Sequence, residues 1–368
     1  MGEIINDYAE DKDNFKKTAN IKSELKYGNE PVSDLDLTIV IPTYHRVDGV
    51  RKALNSIFKQ DDNGIRFKVI IIDNDQFELA GSDTEKILKK YPEDKISYYQ
   101  NEQNIGMVGN WNRCIELPKT KWIAMLHDDD ILSKRYFKLI KPVLKRVDNS
   151  DIVYVRATGG FLNEDGKPEE RNGMTSRFHQ KFANKLMIFN GRSYDLIGPQ
   201  NVGWMGTPSC GSLINREVFV KYGGYDDSHY PSFDAYFPER LATQHGYRVA
   251  ITTGFLGYSY DRQSASTKEK TIMAWSREYV VYSKQYYSKR SRVSSFMYNN
   301  FSEEMGLAYR DDMTNYINIS NYFSNKSEVK SNINKILQYR DREFRRKLYR
   351  LLFMTYVRSK QVQALIIG

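Results

Sequence analysis

The fold of this chain is decided by the stretch LTIVIPTY at residues 37–44. Its first five residues are apolar or β-branched, which is typical of a strand buried on both faces of a parallel sheet, and Pro42 predicts where that strand stops. A second run of this kind, FKVIII at residues 67–72, precedes Asp73-Asn74-Asp75. Apolar residues at helical spacing lie between the two runs, so a β-α-β unit is predicted.

The same alternation continues further along the chain. Strands are predicted at residues 96–99 and 122–126, with a helix at 110–116 between them. Alternation of this kind predicts an α/β fold with a doubly wound, mostly parallel sheet. Because ligands bind at the carboxyl ends of such strands, the polar residues that follow each strand are the first indication of a site. They are Pro42, Thr43 and Tyr44, then Asp73, Asn74 and Asp75, then Asp128, Asp129 and Asp130.

Composition excludes several other classes of protein. The chain has 368 residues and a net charge of +9, but residues 268–368 carry 19 Lys+Arg against 9 Asp+Glu, so the preceding 267 residues have a net charge of −1. A nucleic-acid-binding surface usually makes the core domain basic, so no nucleic-acid partner is predicted. No run of about 18 apolar residues predicts a membrane-spanning helix. The first residues do not resemble a secretory signal, and the two cysteines fit a reducing cytoplasm.

Three regions are predicted from these patterns. Residues 1–34 are polar and weakly periodic, and a loose or helical leader is expected there. Residues 35–267 form the expected catalytic domain, divided into 35–132 and 133–267. Residues 268–368 are expected to be a basic, mostly helical region.

The acidic run at residues 128–130 has two interpretations. Three adjacent carboxylates repel one another, and a hard divalent cation such as Mg²⁺ or Mn²⁺ relieves that repulsion. Alternatively, the run is a solvated turn that opens the next helix. Its position after an apolar strand, in series with two other polar strand ends, favours the cation.

The chain then shows a resemblance to a known family. Residues 37–132 resemble the nucleotide-sugar-binding half of family 2 glycosyltransferases, which have the GT-A fold. The segments that carry the resemblance are 38–44, 69–75, 104–112 and 122–132. The resemblance implies inverting transfer of a sugar from a nucleoside-diphosphate sugar, with a divalent cation at the acidic motif.

The acidic motif departs from the form that is usual in this family. That form is Leu-Asp-X-Asp-Asp, whereas this chain reads Leu126-His127-Asp128-Asp129-Asp130. If the register is kept, His127 replaces the first Asp and Asp129 takes the metal-linked position. A shift by one residue instead makes Asp128 and Asp130 the metal-linked pair. All three carboxylates are retained as candidate ligands, and His127 is expected to pack beside the site.

The resemblance also implies a donor site. Pro42, Thr43, Tyr44, Arg46 and Asp128 would lie near the nucleotide. Asp73 would accept a hydrogen bond from the base, commonly uracil N3–H, because a carboxylate is an acceptor only. Asn104 and Asn112 would line the base and the ribose. Tyr44 and Asp73 also fit ordinary turn positions. No phosphate-binding glycine loop of the ATP or NAD type is present.

The second half of the domain resembles the acceptor half of the family from about residue 211 to residue 249. Asp234 and Arg240 keep the family's spacing between the catalytic base and an arginine, while Phe233 stands where a Glu is usual. Asp234 is therefore predicted to be the general base, although it also fits a helix cap. Arg240 is expected to make a structural ion pair. Glu239 is a second candidate for the base.

Two further residues are candidates for substrate contacts. Arg262 follows a predicted strand where the family often closes a basic loop over the diphosphate, and it equally fits a surface salt bridge. Trp204 lies in a glycine-rich turn and could stack on an acceptor sugar or pack in the core. His229 and His245 are expected to be ordinary loop and helix residues.

The basic tail contains an amphipathic pattern at residues 342–358. One interpretation is docking to an anionic membrane, where a lipid-linked glycan acceptor would reside. The other is packing on the catalytic domain. The first places the protein in the cytoplasm, peripherally on the inner face of the cell membrane.

Two other functions fit parts of this pattern. A sugar-nucleotide pyrophosphorylase also has a doubly wound sheet, but the segment after the first strand lacks the glycines such an enzyme needs. A non-catalytic scaffold acting through the basic tail would not need polar residues at every strand end. The favoured function is transfer of a sugar, commonly from UDP, to a glycan in bacterial surface polysaccharide synthesis.

Overall fold

The structure is a computed structural model that describes residues 11–74, 83–162, 186–189 and 210–259, together with Thr271 and Ala274. The chain divides into two compact units. The first comprises Met1–Ile188 with Met205–Asp261, and the second comprises Phe189–Trp204 with Arg262–Gly368. The description below concerns the first unit, and the three-region division drawn from the sequence stays a prediction.

The described elements alternate as the sequence predicts. The strands are β1 (Ser23–Gly28), β2 (Leu37–Thr43), β3 (Phe67–Asp73), β4 (Ile96–Asn101), β5 (Trp122–Met125), β6 (Asp130–Leu132), β7 (Ile152–Phe161), β8 (Leu186–Phe189), β9 (Ser212–Asn215) and β10 (Arg248–Ser259). The helices are α1 (Val47–Phe58), α2 (Asp83–Leu88), α3 (Gly106–Glu116), α4 (Tyr136–Asp148), α5 (Arg216–Lys221) and α6 (Phe233–Gln244). Short 3₁₀ turns lie at Asn14–Thr18, Glu93–Lys95 and Asp227–His229.

The described strands form one mixed sheet in the order β1-β4-β3-β2-β5-β9-β7-β10-β6, with β8 beside β10. Its central strands β4, β3, β2 and β5 are parallel. Strand β9 is antiparallel to both β5 and β7, and β10 returns parallel to β7. Strands β3 and β4 lie on one side of β2, whereas β5 lies on its other side. Because these strands are parallel, the segments that follow β2 and β5 meet at the same edge of the sheet. The predicted α/β fold is therefore confirmed.

The core is built on the two strands that the sequence identified first. Every residue of β2 and β3 is buried. Helix α1 covers one face with Val50, Ala53, Leu54 and Ile57, which lie on one side of the helix because of their three- and four-residue spacing. Full burial of each large aliphatic side chain stabilises the fold by about 1.5–3 kcal/mol.

Strand β2 runs past the proline that was expected to stop it. Pro42 pairs with Ile72 and Thr43 pairs with Asp73 of β3. On the other side of β2, the ladder with β5 ends at Val40. Pro42 therefore lies beyond the point where that neighbour needs a backbone donor, and its missing N–H is tolerated.

Residues 23–28 differ from the loose or helical leader that the polar sequence of residues 1–34 suggested. Strand β1 pairs antiparallel with β4 at the edge of the sheet. Its side chains alternate between half-buried and exposed because an edge strand has one face in solvent, and this makes its sequence polar. Upstream of β1, the guanidinium of Arg113 donates to the carbonyl oxygens of Thr18 and Ile21, at 2.9 and 2.8 Å. Among the described residues, no helix is both long and apolar enough to cross a membrane.

Candidate active site

The polar strand ends converge at the carboxyl edge of the central strands. Thr43 ends β2 directly beside Asp73, which ends β3. The turn 127–130 follows β5 on the other side of β2, where the Leu126 backbone N–H donates to the Val40 carbonyl oxygen at 3.0 Å. The parallel arrangement thus brings together three segments separated by up to 85 residues.

Asp128 is bound to the end of β2. Its carboxylate accepts a hydrogen bond from Thr43 Oγ1 at 2.8 Å and another from the Tyr44 backbone N–H. Arg46 Nη1 lies 3.5 Å from the same carboxylate and 3.2 Å from Asp129 Oδ2. Burial raises the pKa of Asp128 to about 6, even though Thr43 and Arg46 favour the ionised form. Arg46 thus supplies positive charge at the mouth of the acidic turn.

The remaining residues of the turn form a compact group of possible metal ligands. One ligand atom from each of His127, Asp129 and Asp130 lies within 4.8 Å of the others. His127 Nδ1 is 3.9 Å from Asp130 Oδ2. Burial, and then the neighbouring Asp129 charge, raise the pKa of Asp130 to about 7. Two carboxylates and an imidazole fit a divalent cation, since a cation relieves the cost of ionising Asp130 in this buried position.

Asp130 is held by distant parts of the chain. The Cys210 backbone N–H donates to its Oδ2 at 3.2 Å, and the Ser259 hydroxyl also hydrogen-bonds to it. Asp130 lies opposite Ser259 in the antiparallel pairing of β6 with β10. These contacts fix one of the carboxylates independently of the turn itself.

Two packing contacts position the turn. The ring of Trp111 lies against that of His127, with the ring centroids 4.5 Å apart. On the other side, Gly49 in the first turn of α1 approaches the backbone of Asp128 so closely that a Cβ there would stand 2.1 Å from the Asp128 carbonyl oxygen. A glycine is therefore required where α1 packs on the acidic turn.

A cavity of about 190 Å³ adjoins Asp73. It is lined by the ends of β2 and β3, by the segment between β2 and α1, and by α1 and α2: Thr43, His45, Arg46, Val47, Val50, Asp73 and Thr84. Asp73 is buried, and its Oδ2 accepts a hydrogen bond of 2.7 Å from the Tyr98 hydroxyl. Tyr44 is exposed, and its ring packs on His45, while Pro42 is buried within β2. Three of the predicted donor residues, Thr43, Arg46 and Asp73, therefore line one cavity.

An asparagine network shapes the loop beside Asp73. The Asn74 amide donates to Asn104 Oδ1 at 2.9 Å and accepts from the Ile105 backbone N–H at 2.9 Å. Asn104 Oδ1 also accepts from the Gly106 backbone N–H at 2.8 Å. Asn104 therefore lies next to the end of β3, and in the described structure its oxygen serves to set the start of α3.

Asn112 does not take the donor-binding place expected for it. Its Nδ2 donates to the Tyr225 carbonyl oxygen and its Oδ1 accepts from the Tyr225 backbone N–H, each at 2.8 Å. It is 2 % exposed. Asn112 thus joins α3 to the segment before α6, because both the nitrogen and the oxygen of its side-chain amide are engaged in this buried contact.

Asp234 lies half-buried in the first turn of α6. Its charge acts on the half-buried Arg156 of β7, whose pKa is lowered by desolvation and raised in part by Asp234. The adjacent Phe233 contacts Trp111 edge-on, with the centroids 5.1 Å apart. Trp111 therefore touches both the acidic turn, through His127, and the start of the helix that carries the predicted base.

Two further residues of α6, and two histidines that flank this helix, have structural roles. Arg240 Nε lies 3.2 Å from Asp11, so the predicted ion pair is confirmed. Glu239 is fully buried and therefore cannot reach an acceptor hydroxyl as the second candidate base. His245 pairs with Asp11 at 2.9 Å and stacks on Tyr222, and His229 is buried in its 3₁₀ turn. Trp204, Arg262 and the segment 342–358 lie outside the described residues.

Several residues at the site were not assigned a role from the sequence. Asn74 and Trp111 lie inside the motifs that carried the resemblance, so the sequence already indicated that they are near the site. Tyr98 lies on β4, where only the register with β3 brings its hydroxyl to Asp73. Nothing in the sequence around Cys210 indicates that its backbone would bind Asp130.

Comparison with known proteins decides the family. The profile of glycosyl transferase family 2 matches residues 38–223, just over half of the chain. The chain belongs to this family. The GT-A fold expected from its sequence is thereby confirmed together with the sheet described above.

The curated relatives of this family 2 chain are distant. An uncharacterized glycosyltransferase of Mycoplasma genitalium is 30% identical over 126 residues, which cover 33% of this chain and 41% of that protein. The poly(ribitol-phosphate) beta-N-acetylglucosaminyltransferase TarS of Staphylococcus aureus is 22% identical over 211 residues, covering 56% of this chain and 30% of TarS. The chain thus matches less than half the length of either relative.

Solved structures are similarly remote. A mannosyltransferase from Pyrobaculum calidifontis in complex with GDP-Man and Mn²⁺ is 12% identical with a TM-score of 0.49, covering 96% of this chain and 91% of that one. Residues 1–349 of TarS in complex with UDP-GlcNAc are 14% identical with a TM-score of 0.49, and the match covers 89% of each chain.

Proposed function

We propose that this protein is an inverting glycosyltransferase that moves a sugar from a nucleoside-diphosphate sugar, with UDP as the favoured nucleotide, to a hydroxyl group of a glycan. The observation that carries the proposal is the convergence of Thr43, Arg46 and Asp128 beside the His127/Asp129/Asp130 cluster and the Asp73 cavity. A nucleoside, its diphosphate and a cation need three adjacent sites: the Asp73 cavity suits the nucleoside, Arg46 suits the diphosphate, and the acidic cluster suits the cation.

The base would bind at the Asp73 end of the cavity. A buried carboxylate accepts hydrogen bonds only, and uracil N3–H is a donor. The Tyr98 hydroxyl holds one oxygen of Asp73, so its orientation is set before the base enters. Thr43, Tyr44 and Arg46 follow from β2 along the same side, and Arg46 carries the positive charge suited to a phosphate.

The acidic turn would hold a divalent cation, Mn²⁺ or Mg²⁺, with ligands drawn from residues 127–130. A cation in this place supplies charge stabilisation for the departing diphosphate. The contribution of the chain itself is to fix the carboxylates: the Cys210 N–H and Ser259 hold Asp130, and Arg46 balances Asp128 and Asp129.

Asp234 would act as the general base. In a single displacement the acceptor oxygen forms a bond to the anomeric carbon as the bond from that carbon to the diphosphate oxygen breaks, and the configuration inverts. The acceptor hydroxyl gives its proton to the Asp234 carboxylate, and the nucleoside diphosphate leaves with the electron pair. Half-burial in the first turn of α6 keeps this carboxylate accessible while limiting its exposure to water.

The setting that we propose is bacterial surface polysaccharide synthesis, with a lipid-linked glycan as acceptor and the protein on the cytoplasmic side of the membrane. The relative TarS acts, by its name, on poly(ribitol-phosphate), which is a polymer. The basic pattern at residues 342–358 would provide attachment to anionic lipid. Co-sedimentation with anionic liposomes tests this, and equal recovery of the full chain and a chain lacking that segment would contradict it.

The proposal as a whole is tested by calorimetry with UDP in the presence and absence of Mn²⁺. Binding of UDP that strengthens with Mn²⁺ is expected, and a panel of nucleotide sugars then identifies the donor through hydrolysis or transfer. No metal-enhanced binding of UDP, and no turnover of any nucleotide sugar, would contradict the proposal.

A further inference from the structure

The possible ligand cluster skips one residue of the acidic turn. It takes His127, Asp129 and Asp130 and leaves out Asp128, whose carboxylate is engaged by Thr43 Oγ1 and by the Tyr44 backbone N–H. Of the two registers open at the level of sequence, this arrangement corresponds to the one in which His127 stands at the family's first Asp. A histidine therefore occupies a place where a carboxylate is usual.

The imidazole of His127 is available as a ligand. Neither of its ring nitrogens has a hydrogen-bond partner among the described residues: Nε2 is shielded from solvent, and Nδ1, which faces the cluster, lies 3.9 Å from Asp130 Oδ2. A neutral imidazole has one nitrogen that can only accept, and in a buried site this lone pair needs either a proton donor or a metal ion. The Trp111 ring packs on the imidazole and limits its rotation.

We propose that in this protein the divalent cation is bound by an imidazole nitrogen of His127 together with Asp129 and Asp130, and that Asp128 is not a ligand but holds the turn against β2. This inference rests on the proposed function, because it concerns the cation of that same site.

The distances fit a shared ion. Metal–oxygen bonds of about 2.1 Å place ligand atoms on opposite sides of one ion about 4.2 Å apart. His127 Nδ1 and Asp130 Oδ2 are 3.9 Å apart, and all three ligand atoms lie within 4.8 Å of one another. At 3.9 Å the imidazole and carboxylate are too far apart for a direct hydrogen bond. Because 4.8 Å exceeds this spacing, the ligand atoms must move slightly closer together when they share one ion.

A nitrogen ligand changes which ion the site prefers. Mg²⁺ takes oxygen ligands almost exclusively and demands near-ideal octahedral geometry, whereas imidazole is a ligand for transition metals. The exchange of a carboxylate for His127 also removes one negative charge from the cluster, which lowers the affinity for a hard ion. The site is therefore expected to select Mn²⁺ over Mg²⁺ more strongly than an all-carboxylate site.

Pulsed electron paramagnetic resonance of the full chain with Mn²⁺ and UDP tests the ligand directly. Nitrogen-14 modulation from a coordinated imidazole is expected, and it should change to the nitrogen-15 pattern when the protein is labelled at its five histidines. A bound Mn²⁺ signal without histidine nitrogen coupling would overturn the inference and leave the proposed function standing. Absence of any bound Mn²⁺ would overturn both.

Three variants give a second, independent readout. His127→Asp should abolish the nitrogen coupling, keep Mn²⁺ bound, and reduce the ratio of Mg²⁺ to Mn²⁺ dissociation constants by at least tenfold. His127→Ala should weaken Mn²⁺ binding by at least about 10- to 100-fold. That is the loss caused by removing a residue that only supports a metal ligand. The matched control His245→Ala removes an imidazole that is paired with Asp11 and should leave coupling and affinity unchanged. An unchanged ion preference in His127→Asp, with thermal unfolding like that of the wild type, would overturn the inference.

Discussion

The hydroxyl of Thr43 donates a hydrogen bond of 2.8 Å to the carboxylate of Asp128, a residue 85 positions further along the chain. This bond joins the end of β2, where the nucleotide is proposed to bind, to the turn that is proposed to hold the cation. Neither side can move without disturbing the other. Changes to the nucleotide side of the site are therefore expected to alter the cation side as well.

Replacement of Thr43 by Val should weaken UDP binding measured with Mn²⁺. The variant keeps the shape of the side chain and removes a hydrogen bond to a charged, buried group, which lowers stability by about 1.5–3 kcal/mol. Because UDP binding must then order the loosened turn, the affinity is expected to fall by up to this amount, or up to roughly 100-fold. Calorimetry measures it. The matched control is Thr120→Val, which removes a buried hydrogen bond to Thr38 in the same sheet and should lower stability without changing UDP affinity. Equal UDP affinity in Thr43→Val and the wild type would argue against the link.

Asp73→Asn should reduce selectivity for uracil. The neutral amide oxygen is a weaker acceptor than the carboxylate for N3–H of uracil, whereas the amide N–H group can donate to N3 of cytosine. UDP affinity is expected to fall about tenfold or more while CDP affinity falls less. Asp61→Asn changes an exposed carboxylate and serves as the control. If UDP and CDP weaken equally in Asp73→Asn, the carboxylate does not read the base.

Asp234→Asn should abolish transfer while leaving UDP binding intact. Removal of a general base costs about 10²- to 10⁴-fold in rate, and the residue is not expected to contact the nucleotide. Turnover and calorimetric affinity are measured on the same preparation. Glu217→Gln, an exposed carboxylate in the first turn of α5, is the matched control. Loss of UDP binding in Asp234→Asn would assign this residue to the donor site instead.

Gly49→Ala should destabilise the fold and weaken UDP binding together. The new Cβ would meet the Asp128 carbonyl oxygen at 2.1 Å, so α1 or the acidic turn must shift. Forced overpacking of this kind costs about 1–3 kcal/mol. Thermal unfolding and calorimetry report the two effects. Lys52→Ala, at an exposed position of the same helix, should change neither, and a Gly49→Ala variant with wild-type stability would show that this contact yields easily.

His229 should make the protein less stable in mild acid. Burial lowers the pKa of His229 to about 4, whereas its ordinary value in an unfolded chain is about 6.5. Between these values the unfolded state binds more protons, so the free energy of unfolding falls as the pH decreases from 6.5 to 4, by up to about 1.4 kcal/mol per pH unit. Above pH 6.5 the residue contributes no slope. Urea unfolding at several pH values should show a shallower acid loss in His229→Asn, and parallel curves would contradict the prediction.

The central strands could be predicted from sequence because burial on both faces leaves an uninterrupted apolar run, as in β2 and β3. The residues at their ends could be predicted for the same reason, since the direction of the strands fixes the edge at which Thr43, Asp73 and the acidic turn meet. Local pattern was sufficient for this part of the site.

Contacts between distant segments could not be predicted in this way. The hold on Asp130 depends on the pairing of β6 with β10, and Asn112 faces Tyr225 only because α3 packs beside the segment before α6. An edge strand such as β1 is polar on its exposed face and resembles a loop in composition. Each of these features is set by tertiary neighbours that a local pattern does not reveal.

The edge position of β1 has a practical consequence for handling the protein. Strand β1 covers the outer edge of β4, whose residues are all buried. A truncation that removed residues 11–30 would leave that edge with unpaired N–H and C=O groups, which is the surface on which strands of separate molecules join. Such a shortened protein is expected to aggregate, so expression tags and cleavage sites belong upstream of residue 11.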